Sequence, residues 1–258
     1  FSMPATVTMA GGVKTYTAGS VALVADELDQ GAVGVGEMKL RHSGPPQLEA
    51  DIAANQVFAM QIYALAEERG VPVTIHFETR EKSAPGVDVP SRLAELSDAL
   101  DTHPGAVFVR AHAGDTDWPT VRSLVESHDN LYVDLSTRNP HFIRGWPASL
   151  QSLSTGAGGT GALKTGWKDL FHDYPDRFLI GFDLANSSRW EQLSDVEGYY
   201  RSVLGELDPE VAEKIACKNA QLLFSSPTTA VPALGQRGTL LLVLAAAVLG
   251  AAFLGLRA

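Results

Sequence analysis

Apolar positions along this chain fall into short, nearly unbroken runs separated by longer stretches where they recur every three or four residues. The short runs predict strands at ATVTM (5–9), AVGVGEMKL (32–40), VPVTIHF (71–77), VFVRAH (107–112), LYVDLS (131–136) and RFLIGFD (177–183). The longer stretches predict helices. SVALVADELDQG ends at Gly31, and DIAANQVFAMQIYALAEERG sets Ile52, Val57, Ile62 and Leu65 near one face and stops at Gly70. SRLAELSDALDTH takes Ser91 as its N-cap, and TDWPTVRSLVESHDN follows. Beyond an irregular, glycine-containing region at 137–165, WKDLFHDYPD, RWEQLSDVEGYYRSVL and DPEVAEKIACKNAQLLF read as helices.

None of the six strands alternates simply between apolar and polar residues, which is the pattern of parallel strands covered on both faces. A doubly wound sheet and a (β/α)8 barrel both fit. A doubly wound nucleotide binder wants a glycine fingerprint after its first strand, and none follows that strand here. What stands at the strand ends favours the barrel.

Four strands carry an ionisable group at or just past the predicted C-terminal end: Glu37 in GVGEMKL, His76 in VTIHFET, His112 in VRAHAGD and Asp183 in LIGFDLAN. In a parallel barrel those ends converge on one face, where sites are built. Two imidazoles and two carboxylates make an N/O donor set suited to Zn²⁺, and with less selectivity to Mn²⁺ or Fe²⁺. Each residue also has an ordinary structural reading. Either histidine can hydrogen-bond backbone, Glu37 can pair with Lys39, Arg41 or Arg110, and Asp183 can cap the helix beginning near Ser188. A single shared end for all four argues for the shared site. Lys39, Arg80 and Arg110 lie close enough to orient an anionic substrate, although Arg110 can instead point into the helix layer beside an acid. Asp134 is expected to make a structural hydrogen bond, and Trp118 and Trp146 to pack.

The order GxGE, PVxxHxE, AHxG, GFD and a final NAxxLF resembles the amidohydrolase superfamily, specifically its amidohydrolase-2 group, over residues 31–224. The resemblance implies a metal-dependent (β/α)8 TIM barrel. His76 matches the strand-five metal ligand. His112 matches the strand-six histidine, which contacts substrate or water or binds a second metal. Asp183 matches the strand-eight aspartate, ligand and proton acceptor, and Glu37 a strand-four carboxylate that bridges two metals in some relatives. The implied activity is metal-dependent hydrolysis of a C–N, C–O or P–O bond in a small molecule. A decarboxylase of the same framework, and a surface-displayed barrel that has lost its metal, are the alternatives. The first-strand HxH pair of the group has no counterpart, since the histidines at 42, 76, 103, 112, 128, 141 and 172 never stand two apart. Six strands point the same way, so a barrel lacking its first one or two strands is expected.

Composition narrows the partners. Thirty acidic residues against 20 basic ones give a net charge of −10, and no basic run offers the electrostatic footprint of a nucleic-acid binder. The lone Cys217 excludes an internal disulfide and is expected to pack as a small hydrophobe. Residues 238–256 carry no charge and are long enough to cross a bilayer, between Arg237 and Arg257. With the linker at 225–237, they predict a transmembrane helix or sorting tail behind a barrel domain at 1–224. Its VPALG–apolar–arginine order resembles the sorting tails of surface-directed proteins in Gram-negative bacteria. A membrane-anchored or extracytoplasmic location follows as an expectation. The opening FSMPATVTM has no secretion signal, and reads as the start of a fragment or a processed form.

Overall fold

A computed structural model describes residues 8–9, 12–13, 15–42, 50–79, 88–142, 152–156 and 161–225. Arg80, Trp146 and everything from 226 onward, the apolar stretch at 238–256 included, lie outside the described residues. Among the described residues no helix is long and apolar enough to cross a membrane. The chain divides into two compact units between Asp134 and Leu135.

The first unit alternates strand and helix. A small antiparallel pair, β1 (Thr8–Met9) and β2 (Gly12–Val13), precedes α1 (Ala18–Asp29). Then come β3 (Val35–His42), β4 (Ala50–Asp51), α2 (Val57–Arg69), β5 (Val73–Phe77), α3 (Val89–Thr102), β6 (Phe108–Arg110), α4 (Trp118–Ser127) and β7 (Leu131–Asp134). Within this unit the sheet runs β4-β3-β5-β6-β7, with β3, β5, β6 and β7 parallel and β4 antiparallel at the edge. Both faces of β5 are covered, as its unalternating sequence requires: Val73, Ile75, His76 and Phe77 are all buried. Met38, Leu40, Ile62, Tyr63, Leu96, Phe108 and Leu131 complete the core around it.

Local chemistry sets the helix ends. Thr17 and Ser20 form a capping box at the start of α1. Gly70 closes α2 with φ +63°, a left-handed conformation that glycine enters without a Cβ penalty. The N-cap of α3 is Asp88 rather than Ser91. Its carboxylate accepts from Ser91 N at 3.1 Å, and Pro90 in the first turn favours the earlier start.

The second unit differs more from its sequence pattern. The apolar run 177–183 contributes only a two-residue strand, β8 (Phe178–Leu179). Ile180 N instead donates to Ile215 O at 3.2 Å, and Asp183 turns left-handed at φ +47°. The stretch 189–204 is two helices, Ser187–Glu191 and Leu193–Leu204, joined at Gln192 and capped by Asn186, not by Asp183. The last helical stretch carries a π turn, Lys214–Lys218, in which Cys217 is half-buried. Within the irregular region, Tyr199 Oη receives Leu153 N at 2.9 Å and Ser154 N at 3.2 Å, so the loop is tied to the helix Leu193–Leu204.

Candidate functional site

The site grows from the pairing of β3 with β5. Lys39 lies opposite His76 and Arg41 opposite Phe77, but the register slips between Val35 and Met38. Glu37 sits in that irregularity as the third residue of β3, not at its end. There its Oε1 lies 2.5 Å from His76 Nδ1 and 3.7 Å from His112 Nε2. The His76 and His112 rings meet edge to face with centroids 4.8 Å apart.

His112 reaches this point on an unusual backbone. Past β6 the chain turns left-handed at four successive residues, with φ of +57° at His112, +52° at Ala113, +61° at Gly114 and +52° at Asp115. Three of these are not glycine, and left-handed runs of L-residues are rare because Cβ crowds the backbone. The turn is held from several sides. Asp134, last in β7, accepts from His112 N at 3.4 Å. Thr79 N donates to Gly114 O at 3.2 Å. The guanidinium of Arg110 lies buried against Gly114 and donates to Phe77 O and Thr79 Oγ1, each at 3.1 Å. Arg110 therefore acts as a clamp between β5 and the turn, not as the exposed substrate cation considered above. Asp134 keeps its expected structural hydrogen bond.

His76 stands between two carboxylates. Its Nε2 lies 2.9 Å from Glu78 Oε1, opposite the Nδ1 contact with Glu37. Glu78 is 1% exposed, and its own backbone N donates to Arg41 O at 2.9 Å. Burial alone would lower the His76 pKa, but hydrogen bonds and charge from Glu37 and Glu78 outweigh it and raise the value. Burial likewise pushes Glu37 up, yet hydrogen bonds to His112 and His76 hold it far below the usual carboxylate range. Metal binding at such a cluster displaces protons from its imidazoles, so it competes with these hydrogen bonds.

Two overlapping donor sets result: Glu37, His76 and His112; and His42, His76 and Glu78. In each, the candidate ligand atoms lie within 4.8 Å of one another. One carboxylate with two imidazoles fits zinc chemistry in both. Bonds of ~2.1 Å at tetrahedral angles set donors ~3.4 Å apart. The 3.7 Å between Glu37 and His112 suits that spacing, whereas the 2.5 Å between Glu37 and His76 is a hydrogen bond that must open.

Of the residues expected at the site, the structure brings Glu37, His76 and His112 together. Lys39 is half-buried, and its carbonyl accepts from Tyr16 Oη at 3.3 Å. Asp183 belongs to the second unit, where its carboxylate pairs with Arg189 and its carbonyl accepts from Arg189 Nη1 at 2.8 Å. His42 and Glu78 join the cluster without having been singled out. The HxE spacing in VTIHFET was the available signal for Glu78. For His42, the signal was its position at the end of a buried strand.

The profile of the amidohydrolase-2 family, described simply as amidohydrolase, matches residues 10–225. No curated protein matches the sequence. Among solved structures, an uncharacterised TIM-barrel protein from Bordetella bronchiseptica superposes with a TM-score of 0.54 at 18% identity, covering 84% of this chain and 66% of that one. This chain thus spans just under two thirds of that protein's length. A putative amidohydrolase from Staphylococcus aureus gives 0.46 at 14% identity, covering 82% of each chain. An amidohydrolase from Burkholderia multivorans with bound zinc gives 0.42 at 15% identity, covering 84% of each.

Proposed function

Because this chain belongs to the amidohydrolase family, we propose that it is a metal-dependent hydrolase acting on a C–N, C–O or P–O bond of a small molecule. The observation that carries the reading is the convergence of Glu37, His76 and His112, from β3, β5 and the turn after β6, within 4.8 Å. His76 is the central ligand, with Glu37 and His112 beside it, for a divalent ion of which zinc is the first choice and manganese or iron the alternatives. When bound, such an ion supplies Lewis acidity that brings the pKa of a water near neutrality. Asp183 is assigned the role of general base on its GFD motif alone, and taking up a proton there means giving up its pairing with Arg189. His112 orients the substrate through Nε2 or holds a second ion. Lys39 and Arg80 are proposed to meet an anionic part of the substrate.

The proposal extends to a (β/α)8 barrel, supported by the likeness to the Bordetella protein, and to a membrane anchor at 238–256, supported by its uncharged composition. The decisive experiment strips the full chain with a chelator, restores zinc, manganese or iron, and assays ester, amide, lactone and phosphoester panels. Metal-restored hydrolysis that falls at least ~100-fold in Asp183→Asn and His112→Ala supports the reading. Release of carbon dioxide from a carboxylate substrate, without hydrolysis, would reassign it as a decarboxylase. Absence of any metal-dependent turnover would overturn it.

A further inference from the structure

The second donor set matches the first in its 4.8 Å spread and differs from it in standing at the ends of its strands. His42 closes β3, and Glu78 follows directly on the end of β5. They are the next positions after the paired Arg41 and Phe77, and the bond from Glu78 N to Arg41 O ties those ends together. Both therefore stand at the C-terminal strand ends where parallel α/β sheets build their sites, whereas Glu37 lies early in its strand. His42 is 9% exposed, His76 2% and Glu78 1%, so the three donors face one another with little water between them. The His42 and His76 rings approach to 4.4 Å between centroids. Donors bound at ~2.1 Å with angles of roughly 90–109° stand roughly 3.0–3.4 Å apart. The 2.9 Å hydrogen bond between His76 Nε2 and Glu78 Oε1 lies just below that range and the 3.7 Å between Glu37 and His112 just above it, whereas the 2.5 Å between His76 Nδ1 and Glu37 needs the larger adjustment.

We propose that His42, His76 and Glu78 form a second divalent-metal site, loaded through Nε2 of His76, and that this site fills before the Glu37–His76–His112 set. The inference rests on the metal dependence proposed above and specifies where the first ion goes. With Nε2 on the ion, Nδ1–H keeps its bond to Glu37, the carboxylate–histidine–metal arrangement that fixes ring orientation and raises ligand basicity. Two imidazoles and one carboxylate select a borderline ion such as zinc over magnesium or calcium, which prefer all-oxygen ligands.

The test titrates Zn²⁺ into the metal-stripped full chain against a chromogenic chelator, using the unaltered protein, Glu78→Gln, His42→Gln and His112→Ala. The first equivalent of zinc should bind at least about tenfold more weakly in Glu78→Gln and His42→Gln, and as in the unaltered protein in His112→Ala. The opposite pattern, weakening in His112→Ala with His42→Gln unaffected, overturns the inference and leaves the functional reading standing. No zinc uptake by the unaltered chain overturns both. A gain-of-signal measurement covers the case in which His42→Gln does not fold. In His42→Cys, one equivalent of Co²⁺ should produce a sulfur-to-cobalt charge-transfer band absent from the parent, which already contains Cys217 as a baseline. A His42→Cys spectrum identical to the parent's overturns the inference.

Discussion

Left-handed backbone from His112 to Asp115 is a costly local conformation. Each non-glycine residue held there is worth roughly 1–2 kcal/mol against it, and bonds from Arg110, Thr79 and Asp134 help offset that cost. The strain aims His112 back toward Glu37 and His76. Gly114 has φ +61°, and a Cβ on it would come within 1.9 Å of the Arg110 guanidinium. Gly114→Ala should therefore lose about 3 kcal/mol or more of stability in urea unfolding, and a loss below about 1 kcal/mol would show that the turn adapts freely. The carboxylate beside His112 governs a second residue-scale effect. The Glu37 pKa is depressed on folding, so its contribution is present above its unfolded value of ~4.3 and is lost as pH falls through the lower folded one. The His76 pKa is raised, so its contribution is present below ~6.5 and is lost as pH rises through the higher folded value. In chelator, the melting temperature of the unaltered protein should exceed that of Glu37→Gln most between pH ~4.3 and ~6.5. A difference that grows steadily to pH 9 would contradict these signs.

Elements of the first unit follow their sequence patterns because burial on both faces and good caps act in the same direction. The buried run at 71–77 becomes β5 and the helix before it stops at Gly70, both read from neighbouring residues alone. Where two capping chemistries compete, the pattern misplaces a boundary. Ser91 has the right side chain for an N-cap, but Asp88 caps and Pro90 fits inside the first turn. Asp88→Ala should accordingly cost about 1 kcal/mol, while Ser91→Ala should cost only a few tenths, as expected away from such features. Thermal melts of the two variants decide the matter, and a larger loss in Ser91→Ala would return the cap to Ser91. The candidate site was legible to a similar depth. His76 and His112 could be found because each follows an apolar run in a parallel arrangement. The register slip that brings Glu37 to His76 has no sequence signature, since a bulge is set by tertiary pairing. The left-handed path was equally hidden at Ala113, since alanine gives no signal of positive φ. At 177–183 apolar character predicted a longer strand than forms, because Ile180 bonds to the carbonyl of Ile215 and Asp183 turns left-handed.

At the scale of the molecule, metal and fold are linked by mass action. An ion bound only by the folded chain adds ~2.7 kcal/mol of stability at 100 times its Kd. Each kcal/mol moves the melting temperature of a chain of 150–250 residues by ~2–4 °C, so saturating zinc should raise it by ~5–11 °C. The net charge of −10 assists by drawing cations to the surface, and the on-rate for zinc should fall as salt rises. Where the stabilisation is felt discriminates further. Glu37, His42, His76, Glu78 and His112 all belong to the first unit, whereas Asp183 belongs to the second. Zinc should slow amide exchange along β3 and β5, at 35–42 and 73–78, whichever donor set fills first. If Asp183 is a ligand, as its motif implies, protection must also reach 180–189, because holding its carboxylate on a metal restrains the left-handed turn and competes with Arg189. Protection confined to the two strands would remove Asp183 from the ligand set, and leave its carboxylate to act on substrate or to keep its place in the ion pair.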